Sequence, residues 1–161
     1  LKKYTFINDF TQFINLLYKC LRSYQNIYMI YKKFMFVGAL LGAFAVALGA
    51  FGAHGLKQRL SAEDLAIYQT GVQYHFYHVG AIFIISMLWN KFYTSYMLWA
   101  ARMFVVGIFI FSGSLYLMEY TKAFTGNDIK WLGAITPIGG GCFIIAWLLL
   151  GWSINKTRMN K

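Results

Sequence analysis

The sequence predicts an all-α fold: an integral membrane four-helix bundle with a short outer amphipathic helix and, on one interpretation, an N-terminal interfacial helix. Of its 161 residues, 59% are hydrophobic and only 12% are charged, whereas soluble domains average about 25% charged residues. Four apolar runs are long enough to cross a hydrocarbon core of about 30 Å. Lipid cannot satisfy bare backbone groups, so such runs must be helical. Trp89, Trp99, Trp131 and Trp152 stand at the ends of these runs, as interfacial aromatic residues do.

Residues 1–33 are expected to be either an amphipathic helix on the membrane surface or a leader that is not native to the protein. The second alternative follows from Met29 and Met35, either of which could serve as the translation start. Apolar residues that recur every seven positions predict a helical stripe, and basic neighbours suit it to a membrane surface. The stripe comprises Phe6, Phe13, Cys20, Ile27, Phe10, Leu17, Tyr24 and Tyr31. The segment lacks the small-residue cleavage site of a signal peptide.

The four-transmembrane-helix domain is predicted over residues 34–153, followed by a basic cytoplasmic tail over residues 154–161. Its spans are Phe34–Ala53, Val72–Trp89, Leu98–Tyr116 and Trp131–Trp152. Ten Lys and Arg residues flank one side of these spans and four flank the other; Arg102 would bring the first count to eleven. Because basic residues stay preferentially in the cytoplasm, both termini are predicted to be cytoplasmic.

The two longer connections carry local signals for their structure. Ser61 is a suitable helix N-cap, and Glu63 and Asp64 place acidic groups in the following first turn. These residues predict a short outer helix between Gly55 and Gly71. In the second connection, Gly126-Asn127-Asp128 predicts a turn.

Small residues and one proline mark the expected helix contacts. Glycines inside apolar runs let helix backbones approach closely in a membrane. A proline within a helix removes a hydrogen bond and bends or breaks the helix. The positions assigned to packing or to a kink are Gly38, Gly42, Gly49, Gly52, Gly113, Pro137, Gly139 and Gly140.

Polar side chains are predicted to gather at the outer end of the bundle. His54 closes the first span, His75 and His78 begin the second, and Glu119 closes the third. The candidate polar cluster is His54, His75, His78, Glu119, Tyr74 and Tyr116. We expect these groups to hydrogen-bond to connection backbone or to tyrosine hydroxyls. A zinc or copper site and a proton or quinone-linked role are the alternatives.

Four blocks of this sequence resemble a family of small bacterial inner-membrane proteins, the domain-of-unknown-function family 423, whose eukaryotic relatives are called transmembrane protein 256. The blocks are Gly38–Leu41 with Gly49–Lys57, Tyr68–His78, Phe111–Tyr116 and Ile135–Gly140. The resemblance covers about residues 35–153 and has no counterpart for the leader. It implies a four-helix protein of the bacterial plasma (inner) membrane, and it implies no established biochemical activity.

The expected function is that of an uncharacterised structural or accessory protein of a membrane complex. The net charge of +10 does not indicate nucleic-acid binding, because most basic residues flank apolar runs. We expect no catalysis, no catalytic residue, no cofactor and no metal. The expected partners are the lipid bilayer and either another membrane protein or a second copy of the chain. An oligomeric small transporter or channel, and a histidine-based metal, proton or quinone-linked redox protein, are the alternative functions.

Overall fold

A computed structural model describes the backbone of residues 2–159 and the side chains of residues 12, 14–19, 21, 22, 25, 29–129 and 131–157. Every regular element in this described part is helical. The α-helices are α1 (Lys2–Phe51), α2 (Ala62–Phe92), α3 (Ser95–Gly107), α4 (Gly113–Thr125) and α5 (Lys130–Met159). A wide π-helical turn follows α1 at Gly52–Leu56, and a second one joins α3 to α4 at Ile108–Ser112.

Three stretches of the described chain are long and apolar enough to cross a membrane: Met29–Leu56, Ser95–Thr125 and Trp131–Thr157. They contain the first, third and fourth predicted spans. The second predicted span, Val72–Trp89, lies inside α2, which does not reach the same apolar composition because histidines and other polar residues interrupt it.

The chain divides into two units, Leu1–Lys33 and Phe34–Lys161. Residues 2–33 of the first unit are helical, and its described apolar side chains include the exposed Leu16, Tyr18 and Leu21. Most of the predicted stripe lies outside the described side chains: Phe6, Phe10, Phe13, Cys20, Tyr24 and Ile27. The amphipathic stripe therefore stays a prediction.

Within the second unit, α2 runs antiparallel to the later part of α1, and the two helices pack together at the glycines of α1. A methyl group added at Gly42 would lie 3.5 Å from Val79, and one added at Gly49 would lie 3.3 Å from Val72. Gly38 meets Ile82, and Gly52 approaches the Tyr68 ring so closely that a methyl group there would lie 2.6 Å from it. Tyr68 also donates its hydroxyl hydrogen to the Leu48 carbonyl at 2.9 Å. These contacts fix which turns of α2 lie beside which turns of α1.

The start of α2 confirms the predicted cap and corrects the predicted short helix. The Ser61 side chain accepts a hydrogen bond from the Asp64 backbone N–H at 3.1 Å, and α2 begins at Ala62. The helix then continues without a break for 31 residues to Phe92. No proline interrupts it, and the Gly71 position, which weakens a helix locally, is buried against Leu115 and Tyr116.

The stretch from α3 to α4 is longer than its predicted span at both ends. Thr94 caps its start by accepting a hydrogen bond from the Met97 backbone N–H. Its end at Thr125 is followed by Gly126 with a φ of 69°, the left-handed conformation that favours glycine after a helix. Gly126 thus ends α4 at the first residue of the predicted turn Gly126-Asn127-Asp128.

Pro137 lies inside α5, which runs continuously from Lys130 to Met159, so the proline does not end the last span, and the kink stays a prediction. A proline removes one hydrogen bond, and a long helix can continue past it with a bend. The close contact in this region is made by Gly139, where an added methyl group would lie 2.4 Å from the Phe111 backbone nitrogen. The neighbouring Gly140 lies beside the Phe111 ring.

A buried aromatic group and a hydroxyl pair stabilise the end of the bundle that contains the connection between α2 and α3. Trp89, expected to be an interfacial residue, is instead fully buried, with its ring 5.9 Å from Phe34 and 5.1 Å from Tyr93. The Thr94 and Ser153 hydroxyls are 2.6 Å apart, and Ser153 donates to the Phe92 carbonyl. The other three tryptophans predicted at span ends, Trp99, Trp131 and Trp152, are exposed.

A cavity beside a buried histidine

The depth of His75 and His78 differs from the sequence prediction. Because α2 begins at Ala62, a rise of 1.5 Å per residue places His75 about 20 Å along the helix. Both imidazoles are buried, with 3% of His75 and 5% of His78 exposed. They therefore lie well inside the helix assembly, and the prediction that they stand at its outer end is corrected.

His54 does not join the other two histidines. It lies in the π-helical turn Gly52–Leu56 and is exposed. The contact of Gly52 with Tyr68 places this turn beside the beginning of α2, whereas that of Gly42 with Val79 places His78 far deeper. The single histidine cluster predicted from the sequence is thus not formed. The cause is that α2 starts ten residues before the predicted span at Val72.

His75 forms a pair with Tyr116 of α4. Its Nδ1 lies 3.3 Å from the Tyr116 hydroxyl, and the two rings are tilted with centroids 6.2 Å apart. Its other ring nitrogen, Nε2, is buried without a hydrogen-bond partner in the described part of the chain. A neutral imidazole carries one donor and one acceptor nitrogen, so one of the two polar atoms of His75 is left unused.

A cavity of about 320 Å³ adjoins this pair. It lies between α1, which contributes Leu41 and Phe44, and the second π-helical turn, which contributes Ile108 and Phe109. His75, Tyr116 and Gly113 line it as well. Except for the histidine and the tyrosine hydroxyl, the side chains named here are apolar.

A second cavity of about 270 Å³ adjoins the first. The two share Leu48, Gly113 and Tyr116, and the second continues past Phe51 and Tyr120. Phe51 ends α1, and the Tyr120 ring lies 6.5 Å from it. The two cavities together form a groove from His75 toward the C-terminal end of α1.

The π-helical turn Ile108–Ser112 shapes one wall of the groove. Such turns place one extra residue in a helix and occur frequently at functional sites. The turn packs through Phe111 against Gly139 of α5. Gly113, predicted as a helix-packing glycine, has open space where its Cβ would be and lines both cavities.

His78 and Tyr74 belong to an aromatic layer rather than to the groove. His78 Nδ1 lies 2.7 Å from the Tyr74 carbonyl, so this nitrogen carries the hydrogen and donates it. The imidazole stacks on Phe143 of α5 at 3.4 Å with an interplanar angle of 1°. Tyr74 stacks on Phe111 at 4.6 Å. These contacts give His78 and Tyr74 a role in joining α2 to its neighbours.

Glu119, in the middle of α4, is a second buried polar group. Only 1% of it is exposed, and its Oε2 has no hydrogen-bond partner within the described residues. One turn further on, Lys122 forms an ion pair with Asp64 in the first turn of α2. Hydrogen bonds from Lys122 and Ser61 hold the pKa of Asp64 below its usual value.

No group of three or more histidine, cysteine, aspartate or glutamate residues in the described part of the chain could hold a metal ion. Cys142 is a free thiol.

The groove residues Leu41, Ile108 and Phe109 were not expected from the sequence. Ordinary apolar residues within a span carry no local signal that distinguishes a cavity wall from a lipid-facing surface.

Long apolar helices around a buried polar pair define a small multi-span membrane protein. The chain belongs to a bacterial family described as "Protein of unknown function (DUF423)", whose family model matches residues 48–140.

Similar bacterial proteins are described as UPF0382 membrane proteins. The chain is 42% identical over 120 residues to the UPF0382 membrane protein YwdK of Bacillus subtilis. The alignment covers 74% of this chain and 93% of the relative. It is 38% identical over 129 residues to a UPF0382 membrane protein of Haemophilus influenzae. This alignment covers 78% of this chain and 96% of that relative. No solved structure matches the chain.

Proposed function

We propose that this protein is an accessory membrane protein that binds a small lipid-soluble molecule in the cavity beside His75, without catalysis of its own. The observation that carries the proposal is the cavity itself, about 320 Å³ between α1 and the second π-helical turn, whose apolar walls suit a lipid-soluble molecule.

The proposal places the chain in the bacterial inner membrane as a bundle of four spans, with α2 as the second. α2 has 31 residues, which at 1.5 Å per residue corresponds to about 46 Å and exceeds the hydrocarbon core. It packs along the same part of α1 that belongs to the candidate span Met29–Leu56. Its histidines are tolerable at that depth because they face other helices, and ionisable residues inside membranes are commonly functional.

Both termini lie in the cytoplasm in this proposal. The excess of Lys and Arg on the side of the termini supports the orientation. The mouth of the groove then faces the lipid, since Leu40, Phe44 and Phe109 at its wall are 48%, 62% and 66% exposed. A ligand would enter laterally from the bilayer, so lipid solubility is the property that selects it.

Two glycine variants test the binding role. Gly113 lines the groove and has open space at its Cβ position, so Gly113→Leu should fill the groove without displacing the backbone. Gly141 is equally half-buried with open space, and it is not among the lining residues, so Gly141→Leu is the matched control.

The full chain and both variants are purified from membranes in mild detergent, and co-purifying small molecules are identified by mass spectrometry. We expect one lipid-soluble compound in near-stoichiometric amount with the unmodified chain and with Gly141→Leu, and its loss from Gly113→Leu. Identical small-molecule content in all three preparations would overturn the binding site.

The accessory role is tested in the same membranes by chemical crosslinking followed by affinity purification of the full chain. We expect a second membrane protein in a fixed ratio to this chain. A homo-oligomer without such a partner that also conducts a solute across vesicles would contradict the accessory role and support a transporter or channel instead.

A further inference from the structure

We propose that an anionic phospholipid binds at the end of the bundle that contains the connection between α2 and α3, with its headgroup at Arg102 and Lys156. We call these two cations, together with the rings of Tyr96 and Trp99, the headgroup site. It is separate from the cavity beside His75, so it does not depend on the proposed binding function.

Two aromatic rings of α3 hold the two cations on the surface of the bundle. Tyr96, Trp99 and Arg102 follow one another at intervals of three residues, so they are neighbours along α3. The Arg102 guanidinium carbon lies 5.0 Å from the centroid of the Trp99 ring, and Lys156 Nζ of α5 lies 5.1 Å from that of Tyr96. Cation–π contacts of this length are attractive. All four side chains are exposed, so a ligand can reach both charges.

The headgroup site lies at the depth of lipid headgroups. The candidate span Ser95–Thr125 has 31 residues, which at 1.5 Å per residue is about 46 Å, close to a whole bilayer with its headgroup regions. Trp99 is about 6 Å from the start of this span and Arg102 about 10 Å, with its guanidinium over the Trp99 ring. Because charge is costly in hydrocarbon, an arginine at this depth extends toward the headgroups.

The second unit offers no acidic side chain to these cations. Its sequence contains four acidic residues: Glu63, Asp64, Glu119 and Asp128. The first two lie near the start of α2, whereas the headgroup site follows the end of that helix. Glu119 is about 25 Å further along the helices than Arg102. The remaining acidic residue of the chain, Asp9, belongs to the first unit. The anion that complements Arg102 and Lys156 must therefore come from outside the second unit.

An anionic phospholipid is the partner that this chemistry favours. Basic sites between membrane helices bind anionic lipid headgroups, and a guanidinium can form two parallel hydrogen bonds to a phosphate. A zwitterionic phospholipid carries the same phosphate together with a cation that cancels its charge. An acidic protein in water lies beyond the depth of Arg102, whereas a lipid headgroup lies at it.

The test titrates phosphatidylglycerol and phosphatidylcholine with identical acyl chains against the purified full chain in mild detergent. Native mass spectrometry counts the bound lipids. Two basic residues at headgroup depth should favour phosphatidylglycerol over phosphatidylcholine by roughly tenfold to thirtyfold.

Paired charge variants locate the preference. Arg102→Gln with Lys156→Gln should reduce it to about threefold or less, because both charges are lost. Lys57→Gln with Arg59→Gln is the matched control: it removes the same charge beyond the other end of α1, including a guanidinium 4.5 Å from the Phe124 ring centroid. The control should leave the preference unchanged. Arg102→Lys with Lys156→Arg keeps both charges and should retain most of the preference.

The outcomes separate this proposal from its alternatives. An equal preference for phosphatidylglycerol in the Arg102/Lys156 glutamine variant and in the control variant would overturn the headgroup site. Absence of the preference in the unmodified chain would overturn it as well, and crosslinks from Lys156 to an acidic protein in native membranes would then identify a protein partner instead. Gly113→Leu fills the groove and should leave the preference intact, so this proposal and the groove proposal fail separately.

Discussion

At the scale of single residues, the chain keeps a few polar atoms buried among apolar helices. His75 Nε2, Ser112 Oγ and Glu119 Oε2 are buried without a hydrogen-bond partner in the part of the chain that the structure describes. Each such atom is costly in a low-dielectric interior. Of these three residues, only His75 also lines the cavity of about 320 Å³.

Tyr116 should stabilise the fold through its hydroxyl. Tyr116→Phe keeps the ring contacts and leaves His75 Nδ1 without its 3.3 Å partner, so we expect a loss of about 1–3 kcal/mol. The measurement is the thermal midpoint in mild detergent, compared with Tyr77→Phe, which changes a residue with 63% exposure on the same bundle. Equal midpoints for the two variants would show that the hydroxyl does not support His75.

At the scale of elements, helix contacts depend on where the chain can bring backbone against backbone. The glycines of α1 meet α2, whereas Gly139 of α5 meets the π-helical turn at Phe111. Small residues at such contacts allow close helix approach, which is a main source of helix association in lipid. The wide turn Ile108–Ser112 therefore stands between α5 on one side and the cavity on the other.

Gly139 is expected to be far less tolerant of substitution than Gly141. A methyl group at Gly139 would lie 2.4 Å from the Phe111 backbone nitrogen, so Gly139→Ala must displace the turn, at a cost of roughly 1–3 kcal/mol. Gly141→Ala meets nothing within 4 Å and should be neutral or stabilising by up to about 1 kcal/mol, because alanine favours helices. Unfolding of both variants in a denaturing detergent measures the difference, and equal stabilities would refute the close approach.

At the scale of the whole molecule, α2 contacts three other helices of the second unit, Phe34–Lys161. α2 contacts α1 through glycines, α4 through Tyr116, and α5 through the stack of His78 on Phe143. The two histidines that make α2 less apolar than the three candidate spans, His75 and His78, lie on its buried face, whereas Tyr77 and Met87 on the other face are exposed.

The proposed orientation gives a direct expectation for reporters attached to the chain. A reporter that is active only in the cytoplasm, fused after Lys161, should be active because the basic side of the protein stays inside. The matched control places a periplasmic reporter at Asn127, in the exposed connection before α5. An inactive but well-expressed C-terminal fusion would contradict the proposed topology.

The sequence by itself determined the class of protein and its local helix signals. Apolar composition predicted membrane helices, and Ser61 and Gly126 marked a helix start and a helix end, because caps depend on the few residues around them. Only the tertiary structure placed His75 in the bundle interior, paired it with Tyr116 and separated it from His54. The sequence pattern could not show that α2 begins ten residues before the apolar run, nor that Ile108–Ser112 winds as a wide turn. Both depend on packing between helices distant in sequence, and such packing overrides the local preferences that a sequence pattern records.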